Sequence, residues 1–154
     1  MRIISGGQTG VDRGALDAAM DSGAACGGWC PTDRRAEDGP LSEHYPLKAL
    51  PDAGYKQRTR QNVMDSDATL IIYFHKLEGG TAYTLQLCRQ QHKPFFTIDA
   101  GVTAIETALA DTQNFIKLHG IEQLNVAGPR ASKEAKAYPY SYRLIDALLN
   151  NRNR

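Results

Sequence analysis

The chain has 154 residues, 42% apolar and 23% charged, with 18 basic against 17 acidic side chains and a net charge of +1. That length suits one compact domain, and the composition is globular rather than disordered. Balanced charge argues against a nucleic-acid partner, and the longest apolar run, Ala68 to Phe74, is far short of the roughly 20 residues a membrane span needs.

Short apolar runs alternate with amphipathic stretches along the chain. Arg2 to Ser5 reads as a strand that stops at Gly6-Gly7. From Thr9 to Asp21, Val11, Ala15, Leu16, Ala19 and Met20 recur at helical spacing, with Thr9 as the expected cap and Gly23 as the stop. Ala24 to Gly28 is a small strand. Pro31 to Asp52 holds four prolines and little periodicity, so a long surface loop is expected there. Tyr55 to Asp65 reads as a helix with Tyr55, Thr59 and Val63 on one face. Ala68 to Phe74 is a strand buried on both faces. A helix opening at Gly79-Gly80-Thr81 turns Ala82, Leu85 and Cys88 inward and ends near His92; Pro94 separates it from a strand at Phe95 to Ile98. Thr103 to His119 is helical, Leu124 to Ala127 is the last strand, and Tyr142 to Leu149 is the last helix, with a fraying tail from Asn150 to Arg154. Five strands alternating with helices, without polar alternation in the strands, predict an α/β fold: an open, doubly wound, mainly parallel sheet with helices on both faces. Such sheets bind ligands at the carboxyl ends of their strands.

The glycine loops fall at those ends. Ser5-Gly6-Gly7-Gln8-Thr9-Gly10-Val11-Asp12-Arg13-Gly14 places four of the chain's fourteen glycines within nine positions, between a strand and a helix. Backbone without side chains lets a ligand approach closely, and a helix start offers unpaired N–H groups and a positive dipole end to an anion. A tight turn without any ligand would use the same glycines, but Gln8, Thr9, Asp12 and Arg13 add polar groups that packing does not require. Asp12 and Arg13 are expected to pair and orient the loop. Gly10 is followed by Val11-Asp12 rather than Lys-Ser/Thr, which excludes a P-loop, and the glycine spacing does not match a dinucleotide fingerprint. Gly79-Gly80-Thr81 forms a second glycine loop, although Thr81 could equally cap its helix. Gly128-Pro129-Arg130-Ala131-Ser132 forms a third, in which Arg130 can grip an oxoanion bidentately. Arg34 and Arg35 extend the candidate site, and Trp29 is placed to stack on a ring; Arg58 and Arg60 could face the same edge. A solvated charge run explains those arginines as well. Several anion-friendly loops on one edge suit a ligand with more than one anionic group, such as a nucleotide or a pyranopterin phosphate.

Cys26, Cys30 and Cys88 are too few and too scattered for a disulfide framework, and His44, His75, His92 and His119 do not cluster with them. Reduced thiols, and polar Ser5 in place of a signal-peptide core, point to a cytoplasmic protein with no protein-ligated metal.

Ser5 to Asp17, Gly27-Gly28-Trp29-Cys30-Pro31, Arg34 to Gly39, Arg58 to Val63, Ser66 to Ile71, Gly79-Gly80-Thr81 and Leu124 to Arg130 together resemble the putative molybdenum carrier family, a circularly permuted branch of the SLOG superfamily. The resemblance spans almost the whole chain. It implies a single Rossmann-like ligand-binding domain over residues 1–154, a homo-oligomer, and an anionic small-molecule ligand: molybdenum cofactor or a nucleotide derivative. Tyr138, Tyr140 and Tyr142 could supply an interface between copies. The related LOG phosphoribohydrolases carry a Pro-Gly-Gly-x-Gly-Thr-x-x-Glu motif with a catalytic glutamate. Here Glu78 to Gln86 lacks the proline and third glycine, and Gln86 stands nearest the glutamate's place, where a neutral amide cannot serve as acid or base.

The reading is therefore a ligand carrier or sensor, with no catalytic residue assigned. It binds through Gly6, Gly7, Gln8, Thr9, Gly10, Asp12, Arg13, Arg34, Arg35, Gly79, Gly80, Thr81, Arg130 and Ser132. The alternative is a hydrolase of a nucleotide or N-glycosidic bond using Asp12 or Glu37, and a third option is an interaction module built on the 31–52 loop. A bulky residue at Gly7 is expected to block binding without disturbing the fold.

Overall fold

The structure, a computed structural model, describes residues 1–151. Its centre is a five-stranded sheet of β1 (Arg2–Ile4), β2 (Cys26–Gly27), β7 (Ala68–Tyr73), β8 (Phe95–Asp99) and β9 (Gln123–Ala127), in the order β2-β1-β9-β7-β8 with every pairing parallel. The strands alternate with α1 (Val11–Ser22), α2 (Tyr55–Asp65), α3 (Gly79–Gln90), α4 (Ile105–His119) and α5 (Ala137–Asn151). This is the doubly wound, Rossmann-like α/β arrangement.

The side-chain alternation of β7 shows why both faces are covered. Ala68, Leu70 and Ile72 enter a large core with Val11 and Ala15 of α1, Ala108 and Ile116 of α4, and Leu144 and Ile145 of α5. Ile71, pointing the other way, packs with Val63 of α2 and Leu87 and Cys88 of α3. A strand sandwiched between two helical layers needs apolar residues at successive positions, hence the unbroken run seen in the sequence. Three strands adjacent in the sheet, β1, β9 and β7, end side by side, and the loops that follow them meet there.

Several expectations are corrected. Gly10, with φ +83°, is the N-cap of α1, and the Thr9 hydroxyl is turned away to Glu37. The helix does end at Gly23 in the left-handed conformation. The 31–52 segment is not simply a surface loop. It contains a hairpin of β4 (Arg35–Ala36) and β5 (Gly39–Pro40), and β6 (Lys48–Ala49) pairs in parallel with β3 (Trp29–Cys30). Leu41 and Leu47 are buried against Leu16 and Cys30, a second small core that sequence periodicity could not reveal because its contributors are isolated residues. The buried side of α2 carries Arg58, Asn62 and Val63, while Tyr55 is half exposed. In α3 the buried positions are Thr81, Thr84, Leu87 and Cys88 rather than Ala82 and Leu85. The last helix begins five residues earlier than expected, at Ala137, and continues through Asn150 and Asn151. The rest of the expected fraying tail, 152–154, lies outside the described residues. No helix among the described residues is long and apolar enough to cross a membrane.

Candidate functional site

The loops after β1, β7 and β9 and the first turns of α2 and α3 enclose a cavity of about 520 Å³ at the carboxyl edge of the sheet. Volumes of this order suit a nucleotide-sized ligand. Five basic residues line it, Lys56, Arg58, Lys76, Arg130 and Lys133, against three acidic ones, Asp12, Glu78 and Glu134. Tyr55, Tyr73 and Tyr83 add aromatic surface, and Asn125 projects from β9.

Of the candidate binding residues, Gly6, Gln8, Asp12, Gly79, Gly80, Thr81 and Arg130 line this cavity, as do Arg58 and Gly128 and Pro129 of the third loop. The others are placed elsewhere. Gly7, at φ +80°, turns toward the small core: a Cβ there would lie 2.6 Å from Leu47 Cδ1 and 3.0 Å from Leu41 Cδ2, so a bulky residue at Gly7 threatens the fold itself. Arg13 does not pair with Asp12. Its guanidinium grips Asp38 at 2.9 and 3.2 Å and donates to the Gly7 carbonyl at 3.1 and 3.2 Å. Arg34 donates to the carbonyls of Leu47 (2.7 Å), Ser42 (3.0 Å) and Tyr45 (3.2 Å), clasping the 41–47 segment. Arg35 lies beside Asp33 and over the Tyr55 ring, 5.1 Å from its centre. Thr9 and Ser132 both bind Glu37. Trp29 donates its indole N–H to Asp65 at 2.7 Å and stands apart from the cavity, and Gln86 is exposed on α3. The phenols of Tyr138, Tyr140 and Tyr142 are spent within the chain, on Asp17, the Thr103 carbonyl and Asp21.

The glycine loop after β1 is largely self-satisfied. The N–H groups of Gly7, Gln8, Thr9 and Val11 donate to Ser5 Oγ, Asp12 Oδ2, Gln8 Oε1 and the Pro129 carbonyl. Asp12 thus supplies the anion at the start of α1 from within the chain. Helix α3 differs. No side chain caps it, and among the described residues nothing accepts from the N–H groups of Gly79, Gly80 and Thr81. A Cβ at Gly80 would meet open space, while one at Gly79 would lie 3.0 Å from Lys133 Nζ. An uncapped helix start beside an ammonium group is a favourable seat for phosphate.

Below the first loop sits Arg58, 7% exposed, its guanidinium donating to the Gly6 carbonyl and lying 5.3 Å from the centre of the Tyr55 ring. The sequence places Arg58 as able to face this edge without counting it among the binding residues; the structure lines the cavity with it. Lys76, Lys133 and Asn125 were missed, because nothing local distinguishes a cavity-facing lysine from a solvated one.

Asp12 is 8% exposed beside Arg58. Burial pushes its carboxyl up to about 6, outweighing Arg58, the Gln8 N–H and Arg13, which pull it down. The folded chain therefore holds this proton more tightly than the unfolded chain, whose value is near 3.8. Stability from this group is present at low pH and is lost as pH rises through about 6, by up to about 3 kcal/mol. In urea titrations between pH 4.5 and 7, Asp12→Asn is expected to lack the downward slope shown by the wild-type chain; parallel curves would refute the assignment.

Among the described residues, no three or more His, Cys, Asp or Glu side chains cluster to hold a metal ion. Cys30 and Cys88 are buried in the two smaller cores, and burial raises the pKa of all three thiols.

No protein of curated function matches the chain. A crystal structure described as "Putative molybdenum carrier protein" from Syntrophus aciditrophicus SB is 43% identical to it, with a TM-score of 0.94, covering 96% of this chain and 94% of that one. The model of the circularly permutated YpsA SLOG family matches residues 3–149. The chain belongs to the circularly permutated YpsA SLOG family.

Proposed function

We propose that residues 1–154 act as a single ligand-binding domain, a cytoplasmic carrier or sensor whose cargo is an anionic, nucleotide-like molecule such as molybdenum cofactor. The observation that carries this reading is the cavity, which is lined by the uncapped start of α3 together with Lys76, Arg58 and Lys133. A phosphate takes the free amides of Gly79 and Gly80 with the Lys133 ammonium, and a flat heterocycle takes the tyrosines. A pyranopterin phosphate fits these donors, and its molybdenum would come in with the pterin, since the cysteines lie away from the cavity. The name given to the related Syntrophus protein, a molybdenum carrier, supports a cargo that contains molybdenum.

Native mass spectrometry of freshly purified protein, with molybdenum measured in the same sample, tests this. A co-purified pterin with stoichiometric molybdenum is the expected result. A bound nucleotide without molybdenum would overturn the molybdenum reading, and failure to retain or take up any phosphorylated compound would overturn the carrier reading.

One observation favours the hydrolase alternative: Asp12 faces the cavity with a carboxyl near 6, a value suited to proton transfer at neutral pH. Turnover of a bound nucleotide, lost in Asp12→Asn with binding retained, would establish that second reading.

A further inference from the structure

The tip of the β4–β5 hairpin, Glu37-Asp38, is docked on the glycine loops by its two carboxylates. Asp38 takes the Arg13 fork. Glu37 sits at the meeting point of the loops after β1 and β9. Its Oε1 accepts the Ser132 N–H at 3.0 Å and the Thr9 hydroxyl, and its Oε2 accepts the Ser132 hydroxyl at 2.6 Å, with Arg130 Nε at 3.3 Å. Thr9 is held in place for this, because its oxygen accepts the Ala131 N–H at 3.1 Å. Burial opposes ionisation, but the bonds from Ser132 and Thr9 and the Arg130 charge keep the Glu37 carboxyl below its ordinary range.

Two hydroxyls, one amide and a guanidinium converging on a single point make up the donor set of an oxoanion seat, and three of the four donors come from one five-residue loop. Glu37 itself comes from a hairpin tip two residues long, joined to the glycine loop on this side by one further bond, from its own N–H to Gln8 Oε1 at 2.8 Å. Arg130 belongs both to this seat and to the cavity wall.

We propose that Thr9, Arg130 and Ser132 form an oxoanion subsite at the rim of the cavity that Glu37 fills as an internal stand-in, and that a tetrahedral oxoanion displaces the Glu37 carboxylate on binding. The oxoanion is either a phosphate group of the cavity ligand or a free inorganic anion. This rests on the reading of the cavity as an anion site, but it is tested separately. A dianion carries more charge to Arg130 than Glu37 does and offers more acceptor oxygens to the same donors. Displacing Glu37 reduces the apparent affinity in the wild-type chain by the fraction of molecules in which the seat is free.

The test is calorimetric titration of wild type, Glu37→Ala and Glu37→Gln with inorganic phosphate and, separately, with AMP. Glu37→Ala is expected to bind at least one probe about tenfold or more tightly than wild type, with Glu37→Gln between them. Adding Arg130→Ala to Glu37→Ala should abolish the gain. A gain for inorganic phosphate identifies a free-anion seat, and a gain for AMP alone assigns the seat to a ligand phosphate. If Glu37 is merely a staple, Glu37→Ala and Glu37→Gln lower the Tm without any gain in affinity, and the proposal is overturned. What co-purifies with the wild-type protein does not enter this comparison, so failure here leaves the reading of the cavity to its own experiment.

Discussion

Gly10→Ala is expected to destabilise the fold by about 4 kcal/mol or more, a large share of the 5–15 kcal/mol available to a domain of this size. Gly10 has φ +83° and ψ −128°, a region that L side chains rarely enter, at a strain cost of about 1–3 kcal/mol. A Cβ there would also fall onto the Pro129 carbonyl oxygen and lie 2.8 Å from the Ala131 nitrogen. Both neighbours are backbone, so no side chain can swing aside. The 129–132 loop would have to retreat, giving up the Val11 to Pro129 bond and the Ala131 to Thr9 bond together. Gly80→Ala is the matched control: its Cβ meets nothing within 4 Å, and its stability should stay within about 1 kcal/mol of wild type. Urea unfolding of both variants decides the matter, and a Gly10→Ala chain as stable as the control would show that the two loops are not locked together as described.

Arg58→Met should weaken ligand binding by more than about 100-fold and cost about 2–4 kcal/mol of stability. Methionine roughly replaces the volume but leaves the Gly6 carbonyl without its donor and removes the strongest cationic influence on Asp12. The Asp12 carboxyl should then titrate above 6, because burial remains and the opposing charge has gone. Arg58→Lys keeps the charge but cannot reproduce the planar fork, and should fall between wild type and Arg58→Met in both respects. Counting co-purified ligand by native mass spectrometry reads the first effect, and side-chain carboxyl NMR reads the second. Full ligand occupancy in Arg58→Met would remove this residue from the site, whatever happened to stability.

The two variants act on different joints of one assembly. Gly10 lets the loop after β1 touch the loop after β9, while Arg58 holds the former through the Gly6 carbonyl. Both joints depend on residues distant in the chain, Arg58 lying 52 positions from Gly6. This distance governs what could be read in advance. The layered parallel sheet was legible, because an apolar run such as Ala68 to Phe74 makes sense only between two helical layers, and because Gly23 and Pro94 punctuate the elements through local backbone sterics. The placing of three glycine loops on one edge followed from that architecture.

The partners of the charged residues were not legible. Arg13 was expected to meet its neighbour Asp12, yet the start of a helix splays adjacent side chains apart, and the hairpin tip brings Asp38 to Arg13 from 25 residues away. Arg34 has the composition of a ligand-gripping residue, but its donors are consumed by the carbonyls of a loop that buries Leu41 and Leu47. Glu37 was weighed as an acid or base and is found as the anion in a nest of four donors. Periodicity, glycine and proline act through the nearest few residues, so the sequence alone determined the central strands and helices, their order and the edge where the glycine loops gather. Which charge meets which depends on how a hairpin and three loops pack around a common cavity, and only the tertiary structure decided that.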